Sequence, residues 1–415
     1  MSIPTMHQIG TFDLENYGDL LYPILWRRLV ERKAKGEGVR HYSLLGGHAP
    51  QQAGFESYPL QDLFHAAESV PIPNLIMVGG GDLLRTDSHI VAAHYHTTHA
   101  RRFGSLRRSI GIGNSFNYLL RKHLPRVDHA KFYTECFGRR RMKDCSLGPF
   151  LLDPHAFKSG TLISYLSCGV PHDFALAKRR EVAQVLDRAS FIYVRDEISA
   201  NRLRGAGVRK EINVAPDLAV ILSEQFDYAS ESRKGRQILS KFGVKEQQPV
   251  LCFQSNPYPG FREDEICKQL NQYRQKNGFE VALLPLGFCH HDDIFLKGLA
   301  AQSRGALKYI DVSSVFDMIS VIAASDVFVG TSLHGNITAF SFGIPHLFGP
   351  LPVSKIDGFL SLVESPQELK LRSWTELNSK LEMVTGMDRA IFSKYSDTAR
   401  ARVHRVVDDL FEILR

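Results

Sequence analysis

The sequence predicts an α/β protein of two doubly wound, Rossmann-like domains facing a cleft. Three observations carry this. Short apolar runs alternate with segments of helical periodicity through most of the chain. The runs end in glycine or a charged group, as at "MVGGGD", "IYVRDE", "VAPD" and "VFVGTS". The alternation breaks once, over a polar stretch at 223–248, and then restarts. Such alternation gives parallel strands whose following loops gather at one edge of each sheet. A chain of 415 residues also exceeds what one core comfortably serves. The expected division is a first domain over 1–225, a linker over 226–248, a second domain over 249–387 and a C-terminal helix over 388–415.

In chain order, "HQIGTF" is a short opening strand. "NYGD" (16–19) reads as a turn, and Leu20, Leu21, Ile24, Leu25 and Leu29 form the apolar face of a helix. Asn16 or Asp19 can cap that helix, and Gly18 permits positive φ. "NLIMVGGGDLL" and "LRRSIGIGNSF" read as buried strands running into glycine loops. Neither loop has the spacing of a dinucleotide fingerprint or a P-loop, but Gly80 and Gly81 let a ligand approach the backbone beside Asp82. Residues 129–160 interrupt the alternation, as a lid or acceptor-binding loop or as an irregular surface excursion. "ASFIYVRDEISANRLRGAGV" is strand, turn and helix, and "INVAPDLAVIL" is a strand ending in Pro-Asp.

After the polar stretch, read as linker plus a peripheral helix, come "PVLCFQSNP", "FEVALLPLG" and "LKYIDV" as strands. The helix "SSVFDMISVIAAS", the strand "DVFVG", a helix from His334 and the strand "PHLFG" follow. At the end, Val403, Val406, Leu410 and Ile413 share one face of an amphipathic helix.

Composition narrows the function classes. Apolar residues make up 44% and charged residues 23% of the chain. No apolar run approaches the roughly 18–20 residues needed to span a bilayer. The N-terminus has no charged n-region or apolar h-region, so it is not read as a signal peptide. The expected location is cytoplasmic, with contact at the inner face of the membrane left open. Six cysteines without a C-x-x-C pair read as reduced thiols rather than a zinc site or disulfide framework. The net charge of +7 includes arginine clusters at 101–108 and 138–143, which suit an anionic lipid or small substrate, or a solvated face. No nucleic-acid-binding motif accompanies them, so no nucleic-acid partner is expected. In "GFCHHDD" (287–293) adjacent His290, His291, Asp292 and Asp293 point in different directions, which suits a polar loop better than a metal.

Three strand ends carry the candidate chemistry. His334 heads a helix, where unpaired N–H groups and the macrodipole favour an anion, above all phosphate. Thr331 or Ser332 can cap that helix or bind the same anion, and Gly330 and Gly335 let a ligand come close. A capping turn with a half-buried histidine is the alternative. Arg195, after "FIYV", has the fork shape for bidentate capture of phosphate or carboxylate, unless it pairs locally with Asp196 or Glu197. Asp217 can hold a sugar hydroxyl, hold Arg195 or cap a turn.

Taken in order, "NYGD", "MVGGGDLL", "SIGIG", "IYVRDEISANRLRGAGV", "VAPDLAVIL" and "DVFVGTSLHGNITAFSFGIP" followed by Lys355 resemble the polysaccharide pyruvyl transferase family over roughly 6–360. The resemblance implies a glycosyltransferase-B-like fold. It also implies transfer of a pyruvyl group from phosphoenolpyruvate to a sugar of a cell-surface polysaccharide or its precursor, often lipid-linked, as a cyclic ketal. Phosphoenolpyruvate is then a co-substrate, and neither cofactor nor metal is implied. Arg195 and His334 would belong to the phosphoenolpyruvate site, with Asp19, Asp82 or Asp217 serving the acceptor hydroxyl. Many members read Ser-Arg-Leu-His where this chain reads Thr331-Ser332-Leu333-His334. A serine replaces a guanidinium there, so either Lys355 or an arginine of 101–108 or 138–143 substitutes, or the donor differs. A glycosyltransferase using a nucleotide sugar and a non-catalytic glycan-binding protein are the other readings.

Overall fold

The computed structural model describes residues 5–33, 38–44, 46, 53–63, 74–86, 147–157, 160–363 and 367–413. The arginine clusters at 101–108 and 138–143, the 111–114 loop and most of 129–160 lie outside the described residues.

The first domain is built on β1 (Thr5–Ile9), β2 (Val39–Ser43), β3 (Ser57–Pro59), β4 (Asn74–Gly79), β5 (Leu162–Cys168), β6 (Phe191–Val194) and β7 (Asn213–Val214). They pair in parallel in the order β3-β2-β1-β4-β5-β6-β7. Its longer described helices are α1 (Tyr17–Lys33), α2 (Leu176–Leu186) and α3 (Glu197–Gly205). Strands buried on both faces need near-continuous apolar runs, and "NLIMVG" and "FIYV" are buried throughout. β5 is a strand that the alternation missed, because it follows directly on the irregular 129–160 stretch.

After α4 (Tyr228–Lys241), the second domain runs β8 (Val250–Gln254), α5 (Glu263–Asn277), β9 (Glu280–Leu283), α6 (Asp292–Gln302), β10 (Lys308–Tyr309) and α7 (Val315–Ala323). It continues through β11 (Val327–Gly330), α8 (Leu333–Ser341), β12 (His346–Phe348), α9 (Ser354–Leu362) and α10 (Leu377–Thr385). The parallel order is β10-β9-β8-β11-β12. The segment read as linker holds α4, which lies tight on α7: a Cβ at Gly235 would strike the Ser320 carbonyl, and Ser320 Oγ donates to buried Glu231 (2.5 Å).

The chain ends in α11 (Arg389–Ile413), which crosses back to the first domain. Phe411 stacks on Trp26 of α1 with ring centroids 5.6 Å apart, and Lys33 pairs with Asp408. Val403, Val406 and Leu410 are buried as the periodicity predicts, while Ile413 is exposed. One apolar core runs from α1 and Leu218–Ile221 into the second domain, and another fills the opposite face of the first sheet.

In each sheet the strand order reverses once: between β1 and β4 in the first, between β8 and β11 in the second. Ligands of open α/β sheets lie beyond the carboxyl ends of the strands at such a reversal. The "NYGD" and "GGGD" segments follow β1 and β4, and His334 follows β11. The two reversals meet across the cleft: Tyr17 N–H donates to the Leu286 carbonyl (2.8 Å), and Asn16 bridges Gly287.

Candidate active site

"NYGD" is the start of α1, not a turn before it. The Asn16 carbonyl accepts the Leu20 N–H (3.1 Å), and the Asn16 amide donates to Asp19 Oδ2 (2.8 Å). Gly18 sits in helical backbone, so positive φ is not the reason for a glycine. The reason is space: a Cβ there would collide with the His334 imidazole, Nδ1 first. In the "GGGD" loop the backbone does require glycine, with φ of +90° at Gly80 and +76° at Gly81. The Tyr22 ring covers Gly80, and Asp19 Oδ1 lies against Gly81, so neighbouring side chains fill the space expected for a ligand.

His334 enters the cleft from the first turn of α8. Ser332 is the cap, its Oγ accepting the Gly335 N–H (3.2 Å), as that residue type favours. Thr331 is committed elsewhere: its hydroxyl donates to Asn256 Oδ1 (3.0 Å). Gly330 and Gly335 do not open the backbone to a ligand. A Cβ at Gly330 would meet Phe328 and Gln254, and one at Gly335 would meet Leu286 and Phe328. The loop is held from behind. Gln254 Oε1 accepts the Ser332 N–H (2.8 Å), and Gln254 Nε2 donates to Asp292 Oδ2 (2.7 Å). Asp292 Oδ2 also accepts from the Gly287 and Leu286 N–H groups, at 2.8 and 3.2 Å. Burial pushes this carboxyl up to about 7, against the pull of those donors. Asp292 is thus a bracket for the cleft, and among the described residues no group of three His, Cys, Asp or Glu could hold a metal.

Opposite stands Arg195, buried at the end of β6. It does not pair with Asp196, which caps α3 by accepting the Ser199 N–H (2.6 Å). Its Nη2 donates to Asp82 Oδ1 (2.5 Å) and its Nη1 to Asp217 Oδ2 (3.3 Å), while its Nε has no acceptor among the described residues. Gly169, just past β5, makes the pairing possible: a Cβ there would strike Asp82 Oδ1 and lie 2.8 Å from Arg195 Nη2. The chain bends here, with Ser167 at a φ of +54° and a register shift between β5 and β6.

Asp217 joins the two domains. Its Oδ1 caps the following turn at the Ala219 N–H (3.0 Å). Its Oδ2 accepts the Tyr22 hydroxyl (2.6 Å) and lies 3.6 Å from His334 Nε2. The Tyr22 oxygen is 3.2 Å from the same nitrogen, and the two rings meet edge to face. Lys355, near the start of α9, reaches within 4.0 Å of Asp82 Oδ2 and is partly exposed. Arg195, His334 and Asp217 therefore share one cluster with Asp19, Asp82 and Lys355, while Thr331 and Gly335 face the protein interior.

The three carboxylates differ. Burial alone would raise all of them, but Arg195 and Lys355 hold Asp82 below the usual range. At Asp217, His334 and Arg195 likewise override burial and hold the carboxyl low. At Asp19 burial wins over the Asn16 hydrogen bond and the His334 and Lys355 charges, so its proton affinity is raised. Burial and the Asp217 charge keep the Tyr22 phenol far above its ordinary range.

Tyr22 and Gly169 are the members of this cluster that sequence reasoning missed. Tyr22 reads as one more apolar residue on the buried face of α1, and only the distance in sequence to Asp217 and His334 conceals its role. Gly169 follows a strand as Gly80 does, a signal open to reading but lost beside the irregular segment.

Two parallel-sheet domains with a polar cleft between their carboxyl edges define a glycosyltransferase-B-like protein. Solved structures agree at the level of the fold. A glycosyltransferase from Rickettsia africae superposes with a TM-score of 0.56 at 10% identity, covering 100% of this chain and 98% of the other. UDP-GlcNAc 2-epimerase from Neisseria meningitidis gives 0.55 at 10%, covering 98% and 99%. HepE of Anabaena, in complex with UDP, gives 0.53 at 12%, covering 99% of each chain. No curated protein matches the chain. Within that fold, residues 144–348 match the model of the polysaccharide pyruvyl transferase family. The resemblance read from the motifs thus holds for a span that includes Arg195, Asp217 and His334, and the earlier "NYGD" and "GGGD" segments precede it.

Proposed function

We propose that the protein transfers a pyruvyl group from phosphoenolpyruvate to two hydroxyls of a sugar in a polysaccharide or its precursor, forming a cyclic ketal. One observation carries the reading: Arg195 and Asp217 of one domain converge on His334 of the other, inside the span that matches the family.

The reaction asks for three things: a cationic cradle, an acid and a base. The enol phosphate of phosphoenolpyruvate takes a proton at its methylene carbon. One acceptor hydroxyl adds to the central carbon, phosphate leaves, and the second hydroxyl closes the ketal. One hydroxyl proton in effect ends on the new methyl group, and the other departs with phosphate. His334, beside the carboxylate of Asp217, is the proposed acid. Asp19 is the proposed base, because its proton affinity is raised while those of Asp82 and Asp217 are lowered. Arg195 already bears two carboxylates, so its charge is largely matched. The partly exposed Lys355 and the first turn of α8 supply the cradle for the donor anion, with Arg195 buried behind them holding Asp82 and Asp217 in place. Lys355 takes the part of the arginine that Ser332 replaces.

The test is turnover. Purified protein with phosphoenolpyruvate and a panel of free, nucleotide-linked and lipid-linked sugars should release inorganic phosphate and give a product heavier by a pyruvyl ketal. His334→Ala should lower kcat by about 10²-fold or more. Turnover of a nucleotide sugar without phosphoenolpyruvate would replace this reading with glycosyl transfer.

A further inference from the structure

We propose that Tyr22 is a positioning residue that fixes the tautomer of His334, placing the ring proton at Nε2 and leaving Nδ1 as the working nitrogen. This deepens the reading above and rests on His334 acting in the cleft.

The geometry assigns each hydrogen. Asp217 is an acceptor only, so the 2.6 Å contact takes the phenol hydrogen of Tyr22. The Tyr22 oxygen, 3.2 Å from His334 Nε2, then has only lone pairs to offer it. The other oxygen near that nitrogen, Asp217 Oδ2 at 3.6 Å, is likewise an acceptor. Both neighbours of Nε2 call for a proton on it, and in a neutral imidazole this leaves the lone pair on Nδ1. Nδ1 is the atom that lies over Gly18, where the missing Cβ leaves room for it.

Charged groups surround the ring on several sides. Asp217 faces the ring from the turn after β7, Asp19 from α1 and Asp82 from the loop after β4. Arg195 stands behind Asp217, and Lys355 approaches Asp82 from α9. For His334 to serve as the acid of the reading above, the proton it delivers sits on Nδ1, because Nε2 is committed to Tyr22 and Asp217. The tyrosine relays the Asp217 charge to a histidine on the other domain and sets which nitrogen carries the proton.

The experiment labels histidines with ¹⁵N and reads the His334 tautomer by NMR in the full chain, with His334→Ala assigning the resonance. At a pH where the ring is neutral, the wild type is expected in the Nε2–H form. Tyr22→Phe removes the accepting oxygen and should give a mixed population. In the same variant kcat should fall about 10-fold or more, because a misplaced proton forfeits part of the roughly 10²–10⁴-fold that a general acid supplies, with the KM for phosphoenolpyruvate within about twofold. A wild-type ring protonated at Nδ1 overturns the proposal, as does Tyr22→Phe with unchanged tautomer and unchanged kcat. The wild-type measurement needs no substitution, so it decides the matter even where Tyr22→Phe does not fold. It needs no donor either, so failure of pyruvyl transfer and failure of the tautomer assignment are told apart.

Discussion

At the carboxyl edge of the seven-stranded sheet the cleft is lined by charge: Asp19, Asp82, Arg195 and Asp217, interlocked at 2.5–3.3 Å where Arg195 meets Asp82 and Asp217. At the facing edge of the five-stranded sheet the groups are Gln254, Asn256, Thr331 and Ser332, joined by neutral hydrogen bonds, with Asp292 buried behind them. One edge is a set of balanced charges whose proton affinities are pushed apart. The other is a rigid amide bracket that presents a single imidazole. Buried charges tolerate the loss of a partner poorly, whereas a bracket anchored at several points through Gln254 and Asp292 tolerates the loss of one peripheral hydroxyl. Substitutions on the two sides should therefore fail differently.

The largest effect belongs to the charged edge. Asp19→Asn keeps the shape and the Asn16 contact but removes the proposed base, and kcat should fall about 10³-fold. The pH profile sharpens this. A base works when deprotonated, so the wild-type rate should climb with pH through the Asp19 pKa, above the ordinary carboxylate value of about 3.9, and the variant should lack that limb. Stability should run the other way. Because folding raises this pKa, the ionised Asp19 destabilises the native state at neutral pH, and the amide should melt no lower than wild type. A variant that loses activity only because it unfolds would contradict the assignment.

Gly18→Ala attacks the seam between the edges. The new Cβ must push the His334 ring or α1 itself. A displacement of about 1 Å at a catalytic group costs on the order of 10²-fold in rate, and overpacking of this kind costs about 1–3 kcal/mol in stability. Thermal melts and kcat read both. Near-normal values would mean that the ring is not seated where this contact places it.

What the sequence disclosed, and what it concealed, follows the same division. The strands and the loops that end them were legible because burial on both faces demands "FIYV" and "VFVG", and because sharp exits demand glycine. Arg195, Asp217 and His334 stood out as polar groups at the ends of such runs. Asp82 was a candidate too, and Asp217 was open to holding Arg195, but most of the pairings were hidden. Asp82 lies 113 residues before Arg195, and Tyr22 lies 312 before His334, so no periodicity links them. The same limit explains Gly18 and Gly335. A glycine that clears space for a ring from a distant segment looks, in one dimension, like a glycine that turns the chain.

Lys355→Ala tests the division of labour among the cations. Arg195 is saturated by two carboxylates, whereas Lys355 is partly exposed and 4.0 Å from Asp82. Lys355 should therefore carry ground-state attraction for the anionic donor. The expected result is a KM for phosphoenolpyruvate about tenfold higher with kcat little changed, the pattern of lost uniform binding. A fall in kcat with KM intact would instead place Lys355 at the transition state, and would move it from cradle to acid.

The smallest effect should come from Ser332→Ala on the neutral edge. The substitution removes the Oγ that accepts the Gly335 N–H and should cost about 1 kcal/mol of stability, as caps of this type do. Activity should hardly move. The Ser332 N–H would still donate to Gln254 Oε1, the Asn336 amide would still donate to the Gly330 carbonyl, and Gln254 would still be anchored on Asp292. The position of His334 depends on those contacts and not on the serine hydroxyl. A melting temperature lowered by a few degrees with kcat within about twofold is the pattern of a bracket held at several points, given the usual scaling of stability with melting. A large loss of rate would instead mean that the hydroxyl itself touches the donor, and the contrast between the two edges would narrow to a single polar surface.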